Sequence, residues 1–93
     1  MNEKTIERKL VKTAENMGGI ALKFVSPGFD GVPDRVGRFP GGCAGFVELK
    51  SPGKTMRPLQ VRRKRQLESP GFKVFCVDGT EQIEEVLNAI RTP

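Results

Sequence analysis

Apolar residues recur at helical spacing near the start of the chain, over residues 3–17, at Ile6, Leu10, Ala14 and Met17. Asn2 precedes this stretch and is a candidate N-cap, because its short polar side chain can accept a hydrogen bond from the first helical turn. The pair Gly18-Gly19 ends the pattern. The spacing therefore predicts a first helix over residues 3–17.

Two further helices are predicted in the second half of the chain. Pro58 is suited to the first turn of a helix that ends before Ser69-Pro70-Gly71. The apolar face of this helix is thin and consists of Leu59, Val61 and Leu67. The last helix is expected to begin with Thr80 as its cap, and its apolar stripe consists of Ile83, Val86, Leu87 and Ile90.

Strand-like apolar runs separate these helices, at residues 20–25, 34–39, 44–50 and 72–77. The second and third runs are predicted to form a hairpin around Pro40-Gly41-Gly42. The element order is α-β-β-β-α-β-α. A hairpin followed by a strand–helix–strand crossover predicts an α/β fold with a mixed central sheet flanked by helices. We expect residues 1–93 to form a single domain, because the chain has no repeat or linker.

The composition of the chain limits its possible partners and metals. The formal net charge of +5 and a pI near 9.6 favour an acidic partner such as nucleic acid, although a generically soluble basic protein has the same charge. The chain contains no histidine, so a bound metal must be oxygen-loving and held by carboxylates. The charged N-terminus is no signal peptide, and no run is apolar enough for a membrane span. Two widely spaced cysteines do not indicate a disulfide, so an intracellular location is expected.

The predicted hairpin places two carboxylates opposite each other. Asp34 and Glu48 each lie seven residues from Gly41, and directly opposed residues have Cβ atoms about 4.5–5.5 Å apart on one face. Lys50 shares the face of Glu48. Two bare carboxylates would repel unless they were protonated or shared a cation. The arrangement suits a divalent metal with a water and a phosphate nearby, whereas the structural alternative is a cross-strand salt bridge on a solvated face.

A basic stretch follows this pair. Residues 49–67 contain no acidic residue and seven basic ones, namely Lys50, Lys54, Arg57, Arg62, Arg63, Lys64 and Arg65. Beside a metal-type pair, such a stripe could hold a phosphate backbone, while by itself it is typical of an exposed helix face. No aromatic residue is interleaved, which argues against base stacking as the main mode of binding.

Three segments in this order resemble the VRR-Nuc domain of the PD-(D/E)xK nuclease superfamily. They are Gly31-Val-Pro-Asp34, Phe46-Val-Glu48-Leu-Lys50 and Arg57-Pro-Leu-Gln60. The resemblance covers nearly the whole chain and implies a restriction-endonuclease-like fold. The chain is similar to the minimal stand-alone form of the domain, found in phages and bacteria.

The resemblance implies a role for each site residue. Asp34, Glu48 and the backbone carbonyl of Leu49 would hold Mg²⁺ or Mn²⁺. Lys50 would orient or deprotonate the attacking water, and Gln60 would support the site.

Two further candidate residues lie on the helices, one from the resemblance and one from helical spacing. Glu7 matches the acidic residue of the first helix that can reach the metal, although it could equally be a surface charge beside Arg8 and Lys12. Lys64 lies one helical turn beyond Gln60 and is expected to face the same phosphate.

Two functional hypotheses follow. The first is a metal-dependent DNA endonuclease that acts on branched DNA such as a four-way junction, as a homodimer with two symmetric sites, which is what the resemblance implies. The alternative is a non-catalytic basic DNA-binding module whose carboxylates serve only structure.

Overall fold

Helices and strands follow the predicted order in the computed structural model, which describes residues 2–93. The elements are α1 (Glu3–Asn16), β1 (Ile20–Lys23), β2 (Arg35–Phe39), β3 (Cys43–Leu49), α2 (Pro58–Glu68), β4 (Lys73–Val77), a 3-10 turn (Thr80–Gln82) and α3 (Ile83–Arg91). The strands form one sheet in the order β1-β2-β3-β4. The predicted α/β architecture with a mixed sheet is therefore confirmed.

Strand directions place β3 in the interior of the sheet. β1 pairs with β2 and β2 with β3 in antiparallel orientation, whereas β3 pairs with β4 in parallel. The antiparallel β2–β3 hairpin turns through Pro40, Gly41 and Gly42, and both glycines have the positive φ that the turn requires. The parallel β3–β4 pair needs a crossover connection, and α2 supplies it. The carboxyl end of β3 thus lies between β2 and β4, beside the start of α2.

One face of the sheet carries the main core. α1 and α3 pack side by side against this face, and their buried apolar side chains interlock with alternate strand residues. The cluster consists of Ile6, Leu10, Ala14, Ala21, Phe39, Val47, Leu49, Val77, Ile83, Leu87 and Ile90. The three predicted α1 positions Ile6, Leu10 and Ala14 are all fully buried, while Met17 is only partly buried.

The other face is covered more thinly. α2 packs near β4 on this side, and its single buried residue is the polar Gln60. Beyond the helix, Phe46 on β3 packs between two further rings, with centroids 5.1 Å from Phe24 and 5.7 Å from Phe72. The thin apolar face predicted for the second helix is therefore real, and polar contacts contribute to its docking.

The predicted cap of the first helix is observed, whereas the predicted cap of the last helix is not. The Asn2 side chain accepts a hydrogen bond of 2.9 Å from the Thr5 N–H, so the predicted cap of α1 is confirmed. The predicted cap at Thr80 is wrong, because Thr80 lies inside the 3-10 turn and α3 begins at Ile83. A side-chain pair causes the difference: Gln82 accepts from the Asp78 N–H and donates to the Asp78 carboxylate, which organises these residues as a separate turn.

Strand bounds differ slightly from the prediction. β1 ends at Lys23 rather than at residue 25, and β4 begins at Lys73 rather than at residue 72. The hairpin strands span Arg35–Phe39 and Cys43–Leu49, so Asp34 and Lys50 lie just outside them. Both residues occupy strand ends, where the backbone turns into a loop.

Thiols and membrane spans can be addressed within residues 2–93. Cys43 and Cys76 are both free and partly buried. No helix in this part of the chain combines the length and apolar character needed to cross a bilayer.

Two paired glycines in the sheet leave room for a side chain of α3. Gly37 and Gly45 are directly paired across β2 and β3, and the Ile90 side chain lies over both. A Cβ atom at Gly45 would lie 2.7 Å from Ile90 Cγ1, whereas one at Gly37 would lie 3.5 Å from Ile90 Cδ1. The first distance is a clash and the second an ordinary contact. The absent side chain at Gly45 is therefore a packing requirement.

We predict that Gly45→Ala lowers the free energy of unfolding by about 1–3 kcal/mol, because the new methyl group overpacks the contact with Ile90. Urea denaturation monitored by circular dichroism measures the change. Gly37→Ala is the matched control, since it adds the same methyl group across the strand pair without a clash. Equal stability of the two variants would contradict the assignment.

Candidate active site

The hairpin register brings the two predicted carboxylates to one place. β2 and β3 pair Arg35 with Val47, and one further step along the same register sets Asp34 opposite Glu48. Asp34 is fixed there by its own bonds. Its carbonyl accepts the Phe24 N–H at 2.9 Å, and its carboxylate Oδ2 accepts the Leu49 N–H at 2.9 Å.

Glu48 is a charged residue in the interior of the protein. Its side chain is 1% exposed. Oε2 accepts a hydrogen bond from Gln60 Nε2 and lies 3.6 Å from Lys50 Nζ. Oε1 is buried and has no hydrogen-bond partner within residues 2–93. A buried carboxylate oxygen without a partner is costly, so this atom is a candidate ligand for a cation.

Burial and a neighbouring acid change the titration of Glu48. Burial raises the pKa of its carboxyl group to about 7, and the neighbouring Asp34 carboxylate adds to the rise. Lys50 acts in the opposite direction, because its ammonium group favours the ionised carboxylate. The two opposed carboxyls therefore share the electrostatic conflict that the sequence predicts.

Gln60 links the second helix to this carboxylate. Its side chain is almost fully buried, and its Oε1 accepts the Arg57 N–H at 2.9 Å while its Nε2 donates to Glu48. The amide thus satisfies the start of α2 and the site at the same time. The structure brings the predicted residue Gln60 into direct contact with the predicted ligand Glu48.

A cleft of about 250 Å³ opens beside these residues. Its wall combines carboxylates from α1 with the end of the hairpin. The lining residues are Glu3, Lys4, Glu7, Asp34 and Leu49. Asp34 therefore faces an open space from which a ligand can approach.

Glu7 is held at the wall of this cleft by an ion pair. Arg35 donates from Nε at 3.1 Å and approaches with Nη2 to 3.0 Å, both to Glu7 Oε2. A third bond joins Arg35 Nη1 to the Ala21 carbonyl at 3.1 Å. Within residues 2–93, no group of three or more acidic or cysteine side chains is arranged to hold one ion. Glu7 therefore lies near Asp34 without completing a three-carboxylate site.

Donor chemistry at the site matches a hard divalent cation. Mg²⁺ and Mn²⁺ prefer oxygen ligands, and Mg²⁺ often binds through one or two carboxylates while keeping several waters. Asp34 and Glu48 supply two carboxylates, and Leu49, which follows Glu48, lines the cleft together with Asp34. The unpartnered Oε1 of Glu48 lacks only a cation or a donor. These residues fit such an ion without a third acid.

The basic residues of the second helix and of the loop before it differ in exposure. Lys54, Arg57, Arg62 and Arg65 are exposed. Lys64 is partly buried and pairs with Glu68 at 2.8 Å.

Arg63 has a contact within the protein that the sequence did not reveal. Its guanidinium lies 3.7 Å from the centre of the Phe29 ring, and its Nε donates to the Asp30 carbonyl at 2.7 Å. Its Nη1 donates to Gln66 at 2.9 Å. The side chain therefore fixes the β1–β2 loop on α2, a structural contact that the basic pattern did not predict.

Arg35 is the other residue whose contact was not predicted from the sequence. It follows Asp34 directly, so strand alternation places it on the opposite face of β2, the face that α1 covers. That alternation, together with Glu7 on the inner edge of the first helix, was the available signal.

We predict that the metal-free protein loses stability as pH rises from about 5 to about 8. The folded state holds a proton on Glu48 up to a pKa of about 7, whereas an unfolded glutamate releases it near its ordinary value of 4.5. Stability therefore falls between these two pKa values, by roughly 2–3 kcal/mol at most. Urea denaturation with a chelator present measures the slope.

Glu48→Gln is the control for this slope, because an amide does not titrate. The variant should show a flatter dependence on pH over the same window. Parallel curves for the two proteins would refute the assignment of the slope to Glu48.

Comparisons with known proteins identify relatives of this chain in sequence and in fold. No model of a protein family matches the sequence. The chain is 41% identical to p44 of Acyrthosiphon pisum secondary endosymbiont phage 1, which is named as a candidate nuclease, over 97% of this chain and 96% of that protein. A solved structure described as a VRR-Nuc domain superposes with a TM-score of 0.85 at 26% identity, covering 92% of this chain and 94% of that one. With sequence and fold in agreement, the chain belongs to the VRR-Nuc family.

Proposed function

We propose that the chain is a Mg²⁺- or Mn²⁺-dependent DNA endonuclease. The observation that carries the proposal is the buried Glu48 carboxylate, which has one unpartnered oxygen and lies beside Asp34 and Lys50 at the end of the hairpin. A structural carboxylate would be expected to have both oxygens satisfied. The similarity to p44 supports the same function.

Asp34, Glu48 and the Leu49 carbonyl would hold the ion. When bound, the ion would supply compensation for the charge that develops on the phosphate and a lowered pKa for a water molecule. The protein fixes this donor set through the Leu49 N–H bond to Asp34 and the Gln60 bond to Glu48. Both carboxylates are therefore oriented before any ligand arrives.

Lys50 is suited to act on the water and the phosphate. Its ammonium group lies 3.6 Å from Glu48 Oε2, and its side chain is 15% exposed. The group can donate hydrogen bonds to a phosphate oxygen or hold a water molecule in line for attack. Its anchored position beside Glu48 limits the side-chain freedom that would otherwise be lost when DNA binds.

The exposed cations of the second helix and its preceding loop extend this site toward DNA. Lys54, Arg57, Arg62 and Arg65 form no ion pair within residues 2–93. They are available to phosphates of a duplex that enters beside Glu48.

We infer that the substrate is branched DNA and that the active form is a homodimer. The inference rests on the similarity to the stand-alone form of the family. The edge strand β1 also exposes Ile20 and Leu22 on one face, at 45% and 39%, which a partner subunit could cover. Two symmetric sites could then cut two strands of one junction.

We predict that Glu48→Gln lowers cleavage by at least ~100-fold while DNA affinity stays within a few-fold of the wild type, since even loss of a residue supporting a metal ligand costs about 10–100-fold. The assay uses end-labelled duplex, flap, splayed-arm and four-way-junction DNA with Mg²⁺ or Mn²⁺. Glu84→Gln, which removes an exposed charge on α3, is the control.

The same assay distinguishes the nuclease from a basic DNA-binding module. Wild-type protein that binds every substrate and cuts none with either metal would leave the binding module as the function. Undiminished cutting by Glu48→Gln would instead refute the assignment of the site.

We predict that millimolar Mg²⁺ or Mn²⁺ raises the melting temperature of the wild-type protein by several degrees, because the ion binds the folded state and relieves the repulsion between Asp34 and Glu48. Asp34→Asn should abolish the shift, and Glu84→Gln should keep it. Differential scanning fluorimetry at constant ionic strength provides the measurement. An equal shift in Asp34→Asn would place the ion elsewhere.

A further inference from the structure

The outer face of α1 carries a surface made only of hydrogen-bond donors and hydroxyls or amides. A shallow groove runs between these side chains, and no carboxylate lines it. The lining residues are Thr5, Arg8, Lys9, Lys12, Thr13 and Asn16. Such a set presents three positive charges together with neutral donors, which is the chemistry that recognises phosphate.

The cations on this face are not neutralised by ion pairs within residues 2–93. Lys4, Arg8 and Lys12 follow each other at intervals of four residues and are all exposed. None of them belongs to an ion pair within residues 2–93. Like charges at this spacing repel each other along the helix and destabilise it. Glu7 and Glu15 line a depression together with these cations, but Glu7 is already paired with Arg35, so the repulsion is offset only in part.

This row of cations continues from the candidate active site. Lys4 lines the cleft together with Asp34, and it also borders a second surface depression with Arg8 and Lys12. The helix advances about 1.5 Å per residue, so Lys12 lies roughly 12 Å beyond Lys4 along the axis. The positive surface therefore leads away from the cleft in one direction.

We propose that the outer face of α1 is a second DNA-backbone contact, separate from α2, which binds phosphates about three to four nucleotides from the phosphate in the cleft at 3.4 Å per nucleotide. The proposal rests on the proposed function in that DNA is the substrate. Regular spacing of cations with no exposed large apolar side chain among them fits a repeating phosphate backbone, whereas a protein partner would use apolar anchors as well.

Salt dependence of DNA binding tests this proposal. The triple variant Lys4→Gln, Arg8→Gln, Lys12→Gln should bind a fluorescein-labelled four-way junction about 10- to 100-fold more weakly at moderate salt, and its slope of log K against log salt should be shallower by about 2 to 3. Binding is measured by fluorescence anisotropy, and metal-free buffer with a chelator prevents cleavage during the titration.

The matched control removes the same charge elsewhere. Lys23→Gln, Arg38→Gln and Arg91→Gln change three exposed cations outside α1, so both triple variants have the same net charge. Equal losses in the two variants would reduce the effect to bulk charge and overturn the proposal. An unchanged slope in the α1 variant would overturn it too. Thermal melts of both variants show whether each is folded.

Substrate length adds a geometric test. Shortening one arm to fewer than about four nucleotides beyond the cut site should weaken the wild type but not the α1 variant, because the truncated strand no longer reaches Lys12. Equal weakening of both proteins would contradict the proposed path. Absence of cleavage by the wild type would refute the nuclease alone, while the binding slopes would still decide whether α1 contacts DNA.

Discussion

The rest of the site depends on how the Glu48 carboxylate is compensated in the interior of the sheet. A carboxylate taken out of water destabilises the fold unless donors and cations compensate it. Here Gln60 and Lys50 compensate one oxygen, and the other is left without a partner among residues 2–93. The second helix buries no apolar side chain of its own, so its docking uses this polar contact. Site chemistry and helix placement are therefore linked through one side chain.

The same helix also fixes the other half of the carboxylate pair. Arg63 on α2 covers Phe29 and binds the Asp30 carbonyl, so the loop that leads into Asp34 is tied to the helix. Gly31 lies in this loop with φ of +85°, and a Cβ atom there would lie 2.7 Å from Leu59 Cγ. Close approach of loop and helix thus requires glycine. α2 holds Glu48 directly and Asp34 through the loop, which explains how two repelling carboxyls stay opposed in a thinly packed part of the protein.

Local patterns in the sequence predicted those features that depend on local geometry. The equal distances of Asp34 and Glu48 from Gly41 predicted the hairpin register, since side-chain alternation leaves little freedom once the turn is placed. Apolar spacing predicted which residues of α1 are buried. Each pattern alone left the Glu7–Arg35 pair unpredicted, because its members lie 28 residues apart and only the two patterns together relate them. The start of α3 was also predicted wrongly, because residue type alone makes Thr80 a suitable cap.

Titration of Glu48 connects the fold to the proposed metal. A pKa near 7 means that the metal-free site is substantially protonated at neutral pH, so the electrostatic conflict with Asp34 is relieved by a proton. A divalent ion bound by both carboxylates would displace that proton, and its apparent affinity would fall as pH falls below the pKa. A proton and a metal ion thus compete to relieve one constraint, a buried Glu48 carboxyl group that lies opposite Asp34 at the end of the hairpin. A fold that required only stability could satisfy this position with an apolar side chain. Retention of the charge, with one oxygen left open, is the strongest physical reason to interpret the site as a place where a cation binds.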